Sequence, residues 1–339
     1  GLGDVYKRQR FRREGRKVRR PGTRARRGSV LLFILGATLF LAAVVAVIMK
    51  YAIVEMKLRA PVVMGHSLRQ DAFNCLYAAI AELKEYLEID GGLYAPAQGW
   101  GSLLKDGRAG LPEGLSAEVA VVDETGKLPL SSLNEDQLED LLYEMGFSEP
   151  VADEIAQLFL DWTDSDDIAR TYGAEKDDYE RGAAVPPNRM VRSFSELKYI
   201  RGFGEFFFGP DGEPNEMFLK FASAVSLENT SSEVNFNTAS ELVLRALYRM
   251  DDLDLDNSIM SAIKGETGVV DGGIYWLTSK DQITSRGASP PTRFVGVSAR
   301  FIRIEVRVGR GVSNYRVTAL CEVSEKSISV KSIIEGARR

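Results

Sequence analysis

The sequence predicts an α+β protein: a long N-terminal helix, a large all-α insertion and a C-terminal antiparallel sheet. Three observations carry this. Residues 29–49 form 21 consecutive uncharged, mostly apolar residues. Apolar residues then recur at helical spacing as far as Leu87. From Arg293 onward the code switches to period-two alternation rich in Val, Ile and aromatics.

At roughly 1.5 Å per residue the uncharged run makes about 31 Å of helix, enough to cross a bilayer core of about 30 Å. Helical periodicity continues through Val54, Met56, Leu58, Val62 and Val63. It resumes at Leu68, Ala72, Cys75, Leu76, Ala79, Ile80, Leu83 and Leu87. Pro61 predicts a kink, and Gly91-Gly92 a stop. A loop with Pro96 and Trp100 comes next, then an alternating strand over 115–122 and a turn at 123–126.

The middle of the chain is helical in pattern. Asn134 caps a helix carrying Leu138, Leu141 and Leu142 that ends at Gly146. Pro150 opens the next, with Val151, Ile155, Leu158, Phe159 and Leu160 on one face. A polar acidic loop covers 161–187. Ser193 or Ser195 starts another helix, Asn237-Thr238-Ala239-Ser240 introduces one through Leu247, and a last one covers 256–264. Strands are expected over 294–297, 299–308, 314–323 and 327–334, with turns at 309–311 and 324–326. The expected division is a basic leader at 1–28, a membrane segment at 29–49, an α/β domain from 50–128 and 290–335, and an all-α insertion at 129–289. Residues 1–9 look unrelated to the rest of the chain and resemble a translated sequencing adaptor.

Charge divides sharply. Residues 1–28 carry 12 Lys/Arg and two acids, net +10, while the remaining 31 basic and 46 acidic residues leave the rest at −15. A basic flank stays cytoplasmic and the body is exported. An acidic exported body argues against nucleic-acid binding. One histidine, His66, and two cysteines, Cys75 and Cys321, exclude most zinc sites and Ser-His-Asp or Cys-His catalysis. The cysteines read as buried free thiols, with a Cys75–Cys321 disulfide as the alternative in an oxidising compartment.

The leader has three readings. A cleaved secretory signal would have a shorter apolar core and a small-x-small site after it, and Val44 to Lys50 offers no convincing one. A plain membrane anchor fits the hydropathy. A prepilin-type signal also accounts for the small residue Gly28 at the boundary, where prepilin peptidase would cut between Gly28 and Ser29 and leave the apolar helix on the mature chain. A long helix, half in lipid and half amphipathic, with strands after it is the architecture of a pilin.

Three further stretches stand in an order that resembles a known family. Asp-Glu-Thr-Gly-Lys-Leu-Pro-Leu-Ser-Ser at 123–132 resembles its DE-x-GK-(I/L)-NLN motif. Leu-Asp-Trp-Thr-Asp-Ser-Asp-Asp at 160–167 with Gly-Ala-Glu-Lys-Asp-Asp-Tyr at 173–179 resembles its DW-x-D-x-DD … GAE-xx-Y loop. Glu-Val-Asn-Phe-Asn-Thr-Ala-Ser at 233–240 resembles INVNTA. With the leader, these resemble the minor pseudopilin K family of type II secretion. Pro129 and Ser131 replace asparagines of the first motif, and Asp178 stands where an aromatic is usual. Phe33 lies fifth after the cleavage site, where major pilins carry glutamate and the K subunit characteristically does not. The resemblance implies a pilin-like fold and a non-enzymatic subunit at the pseudopilus tip, single-pass in the bacterial inner membrane with a periplasmic body. Its partners would be minor pseudopilins I and J and prepilin peptidase.

Asp161, Asp164, Asp166, Asp167, Glu175, Asp177 and Asp178 fall within 18 residues. Read from the residues, this is either a solvated acidic loop or carboxylates converging on a hard cation such as calcium, which takes about 6–8 oxygens. The resemblance implies Ca2+ here; among the carboxylates Asp164, Asp166, Glu175 and Asp177 are the preferred ligands, Asp161 instead caps or pairs on the helix end, and with no base or nucleophile beside it the ion is expected to be structural. Leu-Lys-Tyr-Ile-Arg-Gly-Phe-Gly at 197–204 offers a rival, a membrane-anchored helix-hairpin-helix DNA receptor or a minor pilin of a related pilus or competence system. Two glycines making a helix–helix turn explain that stretch as well. Paired carboxylates of glycosidase type would need a cleft, and these crowd one hydrophilic loop.

Overall fold

A computed structural model describes residues 26–104, 111, 114–180, 183–263, 276–286 and 289–336, with side chains omitted at 26–29, 55–66, 258–259 and 262. The leader up to residue 25, including the adaptor-like residues 1–9, lies outside the described residues. The chain divides into two units, 1–63 and 64–339.

The first unit is the N-terminal part of helix α1 (Arg26–Asp90). Val30–Val54 form a 25-residue stretch of mean hydropathy 2.9 with no part of it buried in protein. Apolar side chains turned outward all round suit a helix whose solvent is lipid. Length and composition therefore fit a single-pass anchor.

In the second unit the elements run β1 (Ser116–Asp123), β2 (Leu128–Pro129), α2 (Glu135–Met145), α3 (Glu149–Thr163), α4 (Phe203–Phe207), α5 (Glu216–Ala224), β3 (Val225–Ser226), β4 (Glu233–Asn235), α6 (Glu241–Arg249), α7 (Asn257–Ile263), α8 (Asp281–Ser285), β5 (Phe294–Gly296), β6 (Phe301–Arg310), β7 (Ser313–Val323) and β8 (Ile328–Gly336). The main sheet has order β1-β6-β7-β8, all antiparallel. Val119 stands opposite Val306, and Val306 opposite Val317. Neighbours β1 and β6 thus enclose everything from Glu124 to Arg300 between two paired strands.

Two apolar clusters arise from the two periodicities. On the C-terminal part of α1, Leu68, Ala72, Leu76, Ala79, Leu83 and Leu87 form one stripe. It packs on the inward residues of the sheet, among them Ile302, Ile304, Val306, Val317, Ala319 and Val323. Trp100, fully buried, closes that cluster. Cys75 and Cys321 lie in it as buried free thiols, and burial pushes Cys321 up to about 11, which keeps the thiol protonated and unreactive.

The second cluster gathers α2, α3, α4, α5 and α6 around Leu141, Ile155, Phe159, Phe203, Phe221 and Leu244. The predicted caps form. Asn134 accepts from Gln137 N at 3.0 Å while Gln137 returns to Asn134 N at 3.1 Å, and Gly146 closes α2 with φ 107°.

Three features differ from the expectation. The block between β1 and β6 also contains short parallel pairs, β2 with β3 and β4 with β5. β5 joins β4 and stays out of the main sheet. The helix expected from Ser193 or Ser195 is a 3-10 turn over Phe194–Tyr199, because Gly202 at φ 80° reverses the chain after it.

Candidate functional site: an acidic loop and a buried joint

The acidic loop starts where α3 ends. Asp161 falls on the buried face with Leu158 and Trp162 and is itself fully buried. Such a carboxylate requires a partner. Arg170, returning along the loop, supplies it: its backbone N donates to Asp161 Oδ2 at 3.0 Å, and its guanidinium Nη1 donates to Asp161 Oδ1. The same Nη1 donates to Asp164 Oδ2 at 2.6 Å, and Nε lies 3.4 Å from Glu135 Oε2 on α2. Gly173 passes so close that a Cβ there would stand 1.8 Å from Asp161 Oδ2. That near contact explains a glycine at this point.

Beside the Arg170 contacts, three carboxylates of the loop face one another. One oxygen each from Asp164, Asp166 and Glu175 lie within 4.8 Å of one another. Glu175 is buried, and neither of its carboxylate oxygens has a hydrogen-bond partner. Asp164 Oδ1 is likewise buried and unpartnered. Burial first, and then the charges of Asp161, Asp164 and Asp167, raise Glu175 to about 7. Oxygens left bare in this way suit a hard cation, which would satisfy them together.

Of the four ligands expected from sequence, the structure brings three together. Asp177 is the exception: it sits in the 3-10 turn Lys176–Asp178 with its side chain exposed and outside the converging set. The turn is closed by Glu175 N donating to Asp178 Oδ2 at 2.9 Å, which directs residue 177 outward. Asp161 pairs at the end of α3, and its partner is Arg170. Sequence reasoning missed Arg170 itself, whose signal was a guanidinium between the acids at 161–167 and those at 175–180. It also missed a second group, Glu135, Glu139 and Asp153 on α2 and α3, whose oxygens lie within 4.8 Å. Burial and the charges of Asp153 and Glu135 raise Glu139 to about 7. Gly28 and Ser29 fall in the first turn of α1.

The other two motifs meet each other. Asp123, buried at the end of β1, accepts from Thr125 N at 2.9 Å, Asn235 Nδ2 at 2.7 Å and Thr238 Oγ1 at 2.6 Å. Thr125 Oγ1 in turn accepts from Arg300 N and Phe301 N, both at 2.8 Å. The 123–132 and 233–240 stretches therefore form one buried joint between the main sheet and the helical block. In the 197–204 stretch, Phe203 is fully buried and a Cβ on Gly202 would stand 2.8 Å from Leu158 Cδ1, so the turn serves packing.

The described residues thus hold one helix long and apolar enough to cross a membrane, an antiparallel sheet packed on the 68–87 stripe of α1, and a helical block set between two neighbouring strands. Residues 119–207 match the family model of type II secretion system (T2SS), protein K. Among solved structures, the chain is similar to one described as the GspK-GspI-GspJ complex from the type 2 secretion system of enterotoxigenic Escherichia coli. The match has TM-score 0.57 and 14% identity, and covers 83% of this chain and 99% of that one. No curated protein matches. Family match and shared fold together support a type II secretion minor pseudopilin of the K type.

Proposed function

We propose that the chain caps the tip of the periplasmic pseudopilus in type II secretion, as a non-enzymatic subunit assembled with minor pseudopilins I and J. The observation that carries this is the match over 119–207, which contains most of β1, α2, α3 and the acidic loop, within a fold resembling a chain of a structure described as a GspK-GspI-GspJ complex. In this reading prepilin peptidase cuts between Gly28 and Ser29. The apolar helix then waits in the inner membrane with its basic flank cytoplasmic, and the body is periplasmic. The body divides into a pilin-like domain, 50–128 with 290–335, and the insertion 129–289. The insertion is broad, and a broad cap blocks a further subunit from adding above it.

The acidic loop in this proposal holds structural Ca2+ through Asp164, Asp166 and Glu175. The ion would neutralise oxygens that the protein leaves bare, and tie the end of α3 to the returning loop. Asp177 is a ligand only through water or after the 176–178 turn moves. No nucleophile or base accompanies the site, so its role is structural.

The test is the N-terminus of the mature chain purified from membranes of cells holding a prepilin peptidase. A start at Ser29 is expected, and Gly28→Leu should leave the leader uncut and secretion blocked. An intact leader on the wild type would make this an ordinary anchored protein and remove the basis for a tip cap.

A further inference from the structure

The main sheet packs α1 on one face, and its other face forms a cleft of about 540 Å³ against the helical block. Strand alternation sets the floor. Ile302 and Ile304 are buried in the core, so Arg303 and Glu305 point to the opposite face. Leu320 and Thr318 stand opposite them on β7, and Ser332 and Ile334 opposite those on β8. Phe194 and Leu227 of the helical block supply apolar surface on the facing wall. Ile334 is 70% exposed, an apolar side chain that the fold itself leaves uncovered.

The charges of this cleft favour an anion. Glu124 holds both Lys127, at 3.1 Å, and Arg303, at 2.9 Å. Glu305 holds Arg316, and Arg303 Nε stands 3.7 Å from it. Three cations therefore share two carboxylates, and Arg303 Nε is buried with no hydrogen-bond partner. Arg192 also lines the cleft, is exposed, and its guanidinium pairs with no carboxylate among the described residues. Glu228 returns one negative charge, which leaves four cations facing three acids. The chain beyond residue 28 is strongly acidic, so surplus positive charge beside apolar surface runs against its general trend.

We infer that the cleft is a docking site for an extended segment of a protein partner that carries apolar and acidic side chains on one face. A carboxylate of the segment accepts from Arg192 and Arg303, and its apolar side chains lie on Leu320 and Ile334 against Phe194 and Leu227. Two features favour an extended peptide over a simple anion. Apolar lining gives a simple anion nothing to hold. In addition, Ser332 and Ile334 belong to β8, an outer strand of the sheet order β1-β6-β7-β8, with eight of its nine residues exposed. A segment laid along that edge pairs its backbone with β8 while alternate side chains enter the cleft. The bulge opposite Leu320 and Cys321 and the charge of Lys331 blunt the first half of the edge, whereas Ser332 to Gly336 carry neither device. This inference rests neither on the tip-cap reading nor on calcium in the loop.

The experiment uses the detergent-solubilised full chain and a fluorescein-labelled heptapeptide, Leu-Ser-Glu-Ser-Leu-Ser-Glu, monitored by fluorescence polarisation at low ionic strength. One control has lysine for glutamate, and the other has serine for leucine. The acidic body attracts the lysine control non-specifically, so a preference for the glutamate peptide runs against that bias. Saturable binding of the glutamate–leucine peptide is expected, about tenfold tighter than either control and weakening as salt is raised. Arg192→Gln should weaken it about tenfold and Ile334→Ser about fivefold. Both side chains are exposed, so both variants should keep the melting temperature of the wild type. The basic leader is intact in each variant, so unchanged binding in either one would place the peptide elsewhere and overturn the inference. Absence of saturable binding, or binding of either control as tight as that of the test peptide, would overturn it too.

Discussion

The acidic loop and the acidic groove between α2, α6 and residues 252–254 have similar composition and opposite designs. In the loop, burial brings carboxylates against each other, and the protein supplies one guanidinium, Arg170, which satisfies Asp161 and half of Asp164. What remains is a compact set of carboxylates, with buried, unpartnered oxygens at Asp164 and Glu175 and an exposed one at Asp166. In the groove, the carboxylates of α2 and of residues 252–254 stay partly or wholly exposed and spread out, and water screens them. Clustered acids in sequence therefore say little about what they bind. Burial and convergence separate a candidate ion site from a solvated acidic face.

The comparison breaks most directly at Asp161. Its replacement by alanine leaves the Arg170 guanidinium without its buried partner and should cost about 3–5 kcal/mol in a denaturant titration. A loss below about 1 kcal/mol would mean that Arg170 re-pairs freely with Asp164 and Glu135, and that the loop is no more organised than the groove. Gly173→Ala should come next at about 2–3 kcal/mol, since a Cβ 1.8 Å from Asp161 Oδ2 must displace a carboxylate that Arg170 holds.

Calcium sharpens the contrast. At 100-fold excess over its dissociation constant it should add about 2.7 kcal/mol to stability. Removal by chelator should lower the melting temperature of the wild type and leave Glu175→Gln nearly unmoved. An identical calcium response in that variant would place the ion elsewhere. The pH dependence carries a definite sign. Without calcium the folded-state value of Glu175 is raised from 4.5 to about 7, so its contribution is fully present below pH 4.5 and lost as pH rises to about 7. Calcium-free wild type should lose stability over that interval relative to Glu175→Gln. A parallel pH profile for the two proteins would refute the assignment of the shift to this residue.

The smallest effect belongs to Tyr248, buried in the second apolar cluster. Tyr248→Phe removes a hydroxyl that bonds to nothing, and its melting temperature should change by no more than about 0.5 kcal/mol equivalent. A large loss would show that the hydroxyl is satisfied inside the fold.

The two apolar clusters differ in how openly they are written. The stripe of α1 from Leu68 to Leu87 and the alternation of β6 and β7 announce both partners of the first cluster, because helix and strand periods are local properties. The second cluster depends on aromatic residues such as Phe203, Phe207 and Phe221, whose short helices α4 and α5 have too few turns to display a period. The caps at Asn134 and Gly146 were legible for the opposite reason: they act within four residues of themselves.

Local chemistry thus determined the membrane-length helix, the strands of the main sheet, the caps and the acidic loop that carries Asp164, Asp166 and Glu175. Each needs only neighbours along the chain or a composition that solvent reads directly. Folding in three dimensions settled the remainder. It paired β1 with β6 across the whole helical block, joined Asp123 to Asn235 and Thr238, turned Asp177 outward, set Arg170 on Asp161 and left the Tyr248 hydroxyl bare. These contacts join residues far apart in the chain, or hang on which side of a turn faces the protein. No local preference encodes them, and only burial and the need to satisfy buried polar groups select them.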